Sequence, residues 1–143
     1  MQETKDRKID STVTTLDEVR QRFVHDRFAT VNGAVIEAVD EGYARCSMQL
    51  NDTHRNALGA VMGGAIFTLA DFAFAVASNW NKEARVSLSA SISFLGRAKG
   101  ETLIAEAVKV REGRKTCYYE ISVSDELGSQ VAHMTSNGFS VEA

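Results

Sequence analysis

Residues 63–79 have the sequence GGAIFTLADFAFAVASN, and this stretch decides the architecture of the chain. Apart from Asp71, none of its side chains is charged, and most are apolar. This composition predicts a buried helix, apolar on all sides because other elements wrap around it. Residues 57–77 are long enough to suggest a membrane span. We reject a span because Asp71 lies inside the stretch and glycines crowd its first part.

The segments on both sides of this helix predict strands. Residues 33–40 and 42–50 form two short strands around a tight turn at Asp40-Glu41-Gly42. Residues 85–94 alternate, which places Val86, Leu88, Ala90, Ile92 and Phe94 on one face and Arg85 with four serines on the other. Turn residues then separate three further strands, at 102–111, 116–124 and 130–141.

The order of these elements indicates an α+β fold. Thr15 and Glu18 have the spacing of a capping box, which predicts a short first helix over 15–25. Strands joined by hairpin turns make an antiparallel sheet, and a sheet of this size with one apolar helix curls around that central helix. We expect residues 1–14 to form a flexible N-terminal arm and residues 15–143 a single domain.

Composition excludes several functional classes. A net charge of −3 and a pI near 5.6 argue against a nucleic-acid-binding surface. The two cysteines are far apart, and the three histidines lack the spacing of metal ligands, so neither a metal nor another cofactor is expected. The first fifteen residues are polar and lack the apolar core of a secretory signal. These features predict a cytoplasmic protein that neither crosses nor binds a membrane.

Two features of the long helix suggest chemistry. Asp71 is the only charged residue between Asn56 and Asn81, and a carboxylate among apolar side chains is costly unless it is hydrogen-bonded or has a function. It is either a functional carboxylate or a structural one that meets a loop or a second subunit. Gly63 and Gly64 begin the helix with uncovered N–H groups that favour an anion or an oxyanion. Alternatively, the glycine pair only makes a tight turn.

The spacing of these two features has a geometric consequence. Gly63 and Asp71 are eight residues apart, which corresponds to about 12 Å along a helix. Both groups cannot contact one carbonyl from the same helix, because each needs an approach of roughly 3 Å. A site that uses both must therefore take them from two chains, and this predicts at least a dimer.

The residues around this helix carry a resemblance to a known family. Residues 56–73, NALGAVMGGAIFTLADFA, resemble the core motif of the hotdog-fold thioesterases of the phenylacetate-degradation (PaaI) type, in which asparagine, glycine, His-Gly-Gly and Leu-x-Asp follow at fixed spacing. The matching positions are Asn56, Gly59, Gly63, Gly64, Leu69 and Asp71. The stretch VSLSASISFLGRAKGETL, residues 86–103, is similar to the central strand of the family and its following turn.

The resemblance implies a hotdog dimer, paired again into a homotetramer, that hydrolyses acyl-CoA thioesters with aryl or short to medium acyl groups. Asp71 would be the nucleophile or the general base. The Gly63 amide, next to that of Gly64, would polarise the thioester carbonyl from the opposite protomer. Asn56 would bind the carbonyl or position water, and Ser87 matches a strand position near the attacking water.

Two departures from the family motif bear on this expectation. Met62 stands where the family usually has histidine, and a thioether cannot donate a proton. His54 lies earlier in the same loop as a second candidate for substrate binding. The turn Gly96-Arg97-Ala98 replaces Arg-Pro-Ala near the expected CoA entrance, where Arg97 either meets the CoA phosphates or is a solvated surface residue.

Met62 also supports an alternative function, a non-catalytic hotdog module that binds or senses acyl-CoA. A hotdog hydratase or dehydratase would need a histidine paired with an acid in one site, and the helix has no histidine near Asp71.

Overall fold

The computed structural model describes residues 15–82 and 84–141, so the predicted N-terminal arm lies outside the described residues. The helices are α1 (Leu16–Phe23), α2 (Arg27–Val31) and α3 (Gly63–Asn79). The strands are β1 (Ala34–Asp40), β2 (Tyr43–Gln49), β3 (Arg85–Phe94), β4 (Thr102–Glu112), β5 (Thr116–Asp125) and β6 (Gln130–Ser140). This order confirms the prediction, to which the structure adds α2 and a 3₁₀ turn at Asp52–His54.

The six strands form one antiparallel sheet in the order β1-β2-β4-β5-β6-β3. The sheet curls around α3, whose Leu69 and Phe74 are buried against the inner side chains of the strands. On β5, these inner residues alternate with exposed ones, and Cys117, Tyr119, Ile121 and Val123 are all buried. The core therefore lies between one long helix and the concave face of the sheet.

The first helix closes one end of this core. Thr15 Oγ1 accepts a hydrogen bond from the Glu18 N–H, and the Glu18 carboxylate accepts one from the Thr15 N–H, so the predicted capping box is present. Val19 is fully buried, and Phe23 packs edge-to-face on Phe72 of α3, with ring centroids 6.3 Å apart. These contacts place α1 and the following α2 beside the middle of α3.

One side of α3 is not covered within the protomer, which corrects the expectation that the helix is buried on all sides. Gly64 and Phe67 are exposed, and Thr68 and Asp71 are half-buried. These residues recur at helical spacing and so form one stripe, because residues three, four and seven apart share a helix face. We call this set, Gly64, Phe67, Thr68 and Asp71, the open stripe. The sheet covers the remaining sides of α3.

A β-bulge in β3 changes the predicted faces of that strand. Ser87 pairs with Gly138 of β6, but Ser89 pairs with Asn137, so Leu88 is an extra residue. Beyond the bulge, Ala90, Ile92 and Phe94 share one face as predicted, and their partners on β6 belong to its inner face.

In the part of β3 before the bulge, the side chains point to the faces opposite to those predicted. Arg85 and Ser87 lie opposite Ser140 and Gly138, which belong to the inner face of β6. The prediction that Arg85 and Ser87 share a face with the later serines was therefore wrong.

Candidate active site

The first turn of α3 presents unpaired backbone donors. Met62 is the N-cap, with φ −64° and ψ 140°, and its side chain makes no capping hydrogen bond. Its own N–H donates to the His54 carbonyl oxygen at 2.8 Å. Within the described part of the chain, no acceptor takes the N–H of Gly63 or Gly64. These amides can receive an anion or a developing oxyanion, since the helix dipole favours negative charge there.

Asn56 shapes the loop that leads to this helix. Its Oδ1 accepts hydrogen bonds from the N–H groups of Leu58 and Ala60, at 2.9 and 3.1 Å. Because Oδ1 accepts hydrogen bonds within the loop, the side-chain NH₂ of Asn56 is the group that can donate to a ligand. Gly59 in the same loop has φ +83°, a conformation that disfavours any other residue.

His54 is held on both sides of its ring. It is 2% exposed, and its Nδ1 accepts from the Asn51 N–H at 3.1 Å. An accepting Nδ1 leaves the proton on Nε2, which lies 2.6 Å from the Asn32 carbonyl oxygen and donates to it. Both ring nitrogens are thus engaged within the protein, while the His54 carbonyl receives the Met62 N–H. His54 links the end of α2 to the start of α3.

The first cavity at this end of α3, of about 310 Å³, is lined by Arg55, Gly63, Phe94 and Arg97 among others. The exposed Phe94 ring packs over Gly63, because a Cβ added to Gly63 would lie 3.1 Å from Phe94 Cζ. Two arginines and the first residue of the helix therefore line the same cavity. Guanidinium groups of this kind suit phosphate oxygens.

Two further cavities, of about 330 and 290 Å³, share Phe28, Phe67 and Thr68 and so form one groove along the open stripe. Met62, Gly64 and His54 line the end of the groove near the helix N-terminus. Asp71 lines the other end, together with Asp26. The groove is mainly apolar near Met62 and acidic near Asp71.

The Asp71 carboxylate lies in a partly apolar and acidic environment. It is half-buried, and within residues 15–82 and 84–141 it accepts no hydrogen bond. Burial raises the pKa of Asp71 above its usual range, and the negative charge of Asp26 raises it further. A carboxylate with these properties holds a proton more readily than an exposed aspartate does.

The protomer keeps the predicted site residues apart. Gly63 and Arg97 line the first cavity and Asp71 the far end of the groove, while Asn56 and Ser87 line neither. Ser87 is exposed on the inner face of the sheet, with its Oγ 3.2 Å from Ser136 Oγ.

Sequence reasoning missed Asp26 and the contact of Phe94 with Gly63. No periodic signal marks Asp26, because the helix that it caps has only five residues.

The described residues contain no group of three His, Cys, Asp or Glu side chains that suits a metal ion. Cys46 and Cys117 are buried free thiols. In the part of the chain that the structure describes, no helix is both long enough and apolar enough to span a bilayer.

Comparison with known proteins places the chain in a family. The model of a domain of unknown function, DUF4442, matches residues 22–138. A putative esterase of Archaeoglobus fulgidus is 36% identical over 111 residues, which are 77% of this chain and 72% of that protein. The acyl-coenzyme A thioesterase PaaI of Escherichia coli is 33% identical over 111 residues, 77% of this chain and 79% of that protein. This chain belongs to the PaaI-type hotdog thioesterases.

Solved structures agree with this assignment. The E. coli PaaI protein superposes with a TM-score of 0.79 at 27% identity, covering 90% of this chain and 98% of its own. A Streptococcus mutans protein solved with bound acetyl-CoA gives a TM-score of 0.70 at 28% identity, covering 75% and 87%. The predicted hotdog fold and the predicted class of enzyme, a thioesterase, are both confirmed.

Proposed function

We propose that this PaaI-type thioesterase hydrolyses acyl-CoA thioesters at a site shared by two protomers. Asp71 of one protomer is the nucleophile or the general base, and the amide of Gly63 of the partner subunit polarises the thioester carbonyl. The E. coli relative is an acyl-CoA thioesterase, and the S. mutans structure holds acetyl-CoA, which supports this class of substrate.

The observation that carries the proposal is the pair of unsatisfied groups on α3. A half-buried carboxylate without a described hydrogen-bond partner and the unpaired amides of the helix N-terminus are eight residues apart. The intervening rise of about 12 Å prevents one carbonyl from meeting both groups of one helix. A second copy that brings its own helix N-terminus to Asp71 removes this difficulty.

The exposed edge of the sheet at β3 favours such a dimer. Strand β3 is an edge strand of ten residues, with exposed Val86 and Leu88 and a free row of backbone groups. Edge strands of this length pair readily with another chain. If β3 pairs with β3 of a second protomer, the two sheets become continuous. Each protomer then covers the other near the open stripe of α3. We further propose that such dimers associate into a homotetramer.

The chemical step is a hydrolysis in which Asp71 acts in one of two ways. As a general base, it takes a proton from water while the water oxygen bonds to the carbonyl carbon. As a nucleophile, it forms an anhydride that water then cleaves. In both cases the carbonyl oxygen gains negative charge next to the amide donors, and the C–S bond breaks. The CoA thiolate leaves and takes up a proton, so that the products are a carboxylic acid and CoA.

The remaining predicted residues have supporting roles in this proposal. The free NH₂ of Asn56 donates to the carbonyl or to water, and Ser87 holds the water from the inner face of the sheet. Arg97 binds the CoA phosphates in the first cavity, together with Arg55. Gly64 and Met62 border the apolar part of the groove, which accepts the aryl or short to medium acyl group. His54 acts through the Met62 N–H rather than by contact with substrate.

The direct test is thiol release by the purified protein from aromatic, short-chain and long-chain acyl-CoAs, beside the Asp71→Asn variant. We expect turnover by the native protein and a loss of about 10²–10⁴-fold in kcat for the variant, the usual contribution of a positioned base. Turnover that survives the substitution would assign the chemistry to another residue. Binding of acyl-CoA without turnover by the native protein would favour the non-catalytic module.

The shared site has a separate test in mixed dimers. Asp71→Asn and Gly63→Pro protomers are combined by unfolding and refolding at equal concentrations. With a site made from two chains, random pairing restores one intact site in each mixed dimer and recovers about a quarter of native activity. A site within one chain would recover none, since every protomer carries one defect.

A further inference from the structure

The acidic end of the groove contains a second carboxylate that the proposed reaction does not use. This cavity, of about 290 Å³, receives Asp26 from the start of α2 and Asp71 from α3. Its other lining residues carry no charge: Phe28, Ala29, Phe67, Thr68 and Phe72. His25 and Arg27, the neighbours of Asp26 in sequence, do not line it. Among the described residues that line this cavity, Asp26 is therefore the one charged side chain besides Asp71, and both are carboxylates.

The Asp26 carboxylate is not needed to form its own helix. Asp26 is the N-cap of α2, yet its side chain makes no capping hydrogen bond. The contacts of the cap use its backbone oxygen, which accepts from the N–H and the Oγ1 of Thr30, both at 3.1 Å. Among the described residues, no cation forms an ion pair with Asp26. A carboxylate that lies beside another one and has no cation partner among the described residues suggests a function in the site.

We infer that Asp26 is a positioning residue of the thioesterase, whose negative charge across the cavity makes Asp71 a stronger base. This inference rests on the proposed use of Asp71. Two carboxylates in one site repel each other when both are ionised, so the neighbour holds its proton more tightly. The pKa of Asp71 is raised first by burial and then by Asp26, which agrees with this geometry.

A stronger base removes a proton from water more effectively at the pH where it is ionised. The raised pKa also lowers activity at acidic pH, because Asp71 must lose its proton before it can act. Activity therefore falls as the pH drops through the pKa of Asp71. Removing the charge of Asp26 lowers that pKa, and the fall in activity then occurs at a lower pH.

The first experiment compares pH profiles of kcat/KM for the native protein, Asp26→Asn and the control Glu120→Gln. Glu120 is exposed on β5, outside these cavities, and its variant should retain the native profile. For Asp26→Asn we expect the acid limb to move to lower pH. The displacement should shrink when the salt rises from 0.01 M to 1 M, because the screening length falls from about 30 Å to about 3 Å. An unmoved limb, or one moved to higher pH, would overturn the inference.

The second experiment needs no turnover, so it separates failure of this inference from failure of the proposed function. The ¹³C resonance of the Asp71 side-chain carboxyl is titrated by NMR in the native protein and in Asp26→Asn. Its midpoint should fall in the variant, even if no acyl-CoA is hydrolysed. If Asp26→Asn does not fold, Asp26→Ser supplies another common N-cap residue without the charge. Equal midpoints in native and variant proteins would refute a role for Asp26.

Discussion

Replacing Gly63 by proline should remove one hydrogen-bond donor and little else. Gly63 is the first residue of α3, where proline is favoured because the position has no N–H partner within the helix. Met62 before it has φ −64° and ψ 140°, the extended conformation that a following proline requires. The Gly63 N–H has no acceptor among the described residues, so no internal hydrogen bond is lost.

The steric effect of this change can be matched by a control. A Cβ at Gly63 would lie 3.1 Å from Phe94 Cζ, and the ring is 55% exposed, so it can move by a few tenths of an ångström. Gly63→Ala adds the same Cβ but retains the N–H. We expect both variants to keep their stability within about 1 kcal/mol. The ratio of their activities then measures the donor alone.

Loss of one oxyanion donor lowers kcat by about 10²–10³-fold, or about 2.7–4 kcal/mol in the barrier. We therefore expect Gly63→Pro to have this deficit relative to Gly63→Ala, with similar KM values. Steady-state thiol release measures both constants, and urea unfolding checks stability. A Gly63→Pro enzyme within tenfold of Gly63→Ala would refute the role of the amide.

Three further predictions concern stability. Because the folded state raises the pKa of Asp71, the ionised form destabilises the protein above that pKa. Asp71→Asn should therefore gain stability at pH 7, measured as a higher free energy of unfolding in urea. That gain should disappear below about pH 4, where the native side chain is protonated in both states. Gly138→Ala places a Cβ 3.0 Å from Phe74 Cζ in the core and should cost about 1–3 kcal/mol, measured in the same way. His54→Phe leaves the Asn51 N–H and the Asn32 carbonyl without their His54 partner and should lower both the Tm and kcat. His54→Gln, which can still donate to the Asn32 carbonyl, should lose less.

Local sequence signals placed most elements correctly because each element has a signal of its own. The bounds of α3 follow from the glycine pair at its start and the mainly apolar run after it. Thr15 and Glu18 form the capping box that their spacing predicts. Alternation on β5 separates buried Tyr119 from exposed Tyr118, since successive strand residues point to opposite faces.

The motif also predicted the thioesterase class, through its resemblance to the PaaI-type family. The amides that begin α3 are unpaired, and Gly59 adopts a positive φ. Helix rise alone showed that Gly63 and Asp71 cannot meet one carbonyl from one chain. This last conclusion needs only the rise per residue along a single helix.

Features that arise from contacts between distant segments had no local signal. The bulge at Leu88 places Ser87 on the inner face, and the alternation of residues in β3 does not predict this bulge. The ring of His54 is occupied by groups of Asn32 and Asn51, which sequence alone does not bring together.

The sequence by itself determined the elements and the fold class, since these depend on local periodicity and spacing, and its motif carried the resemblance to the PaaI type. Only the tertiary structure decided which side of α3 stays open and which residues face Asp71 across the groove. Asp26 shares a cavity with Asp71 because α2 packs beside α3. This proximity depends on the tertiary packing of two segments that are far apart in the sequence, so neither residue predicts it from its local sequence.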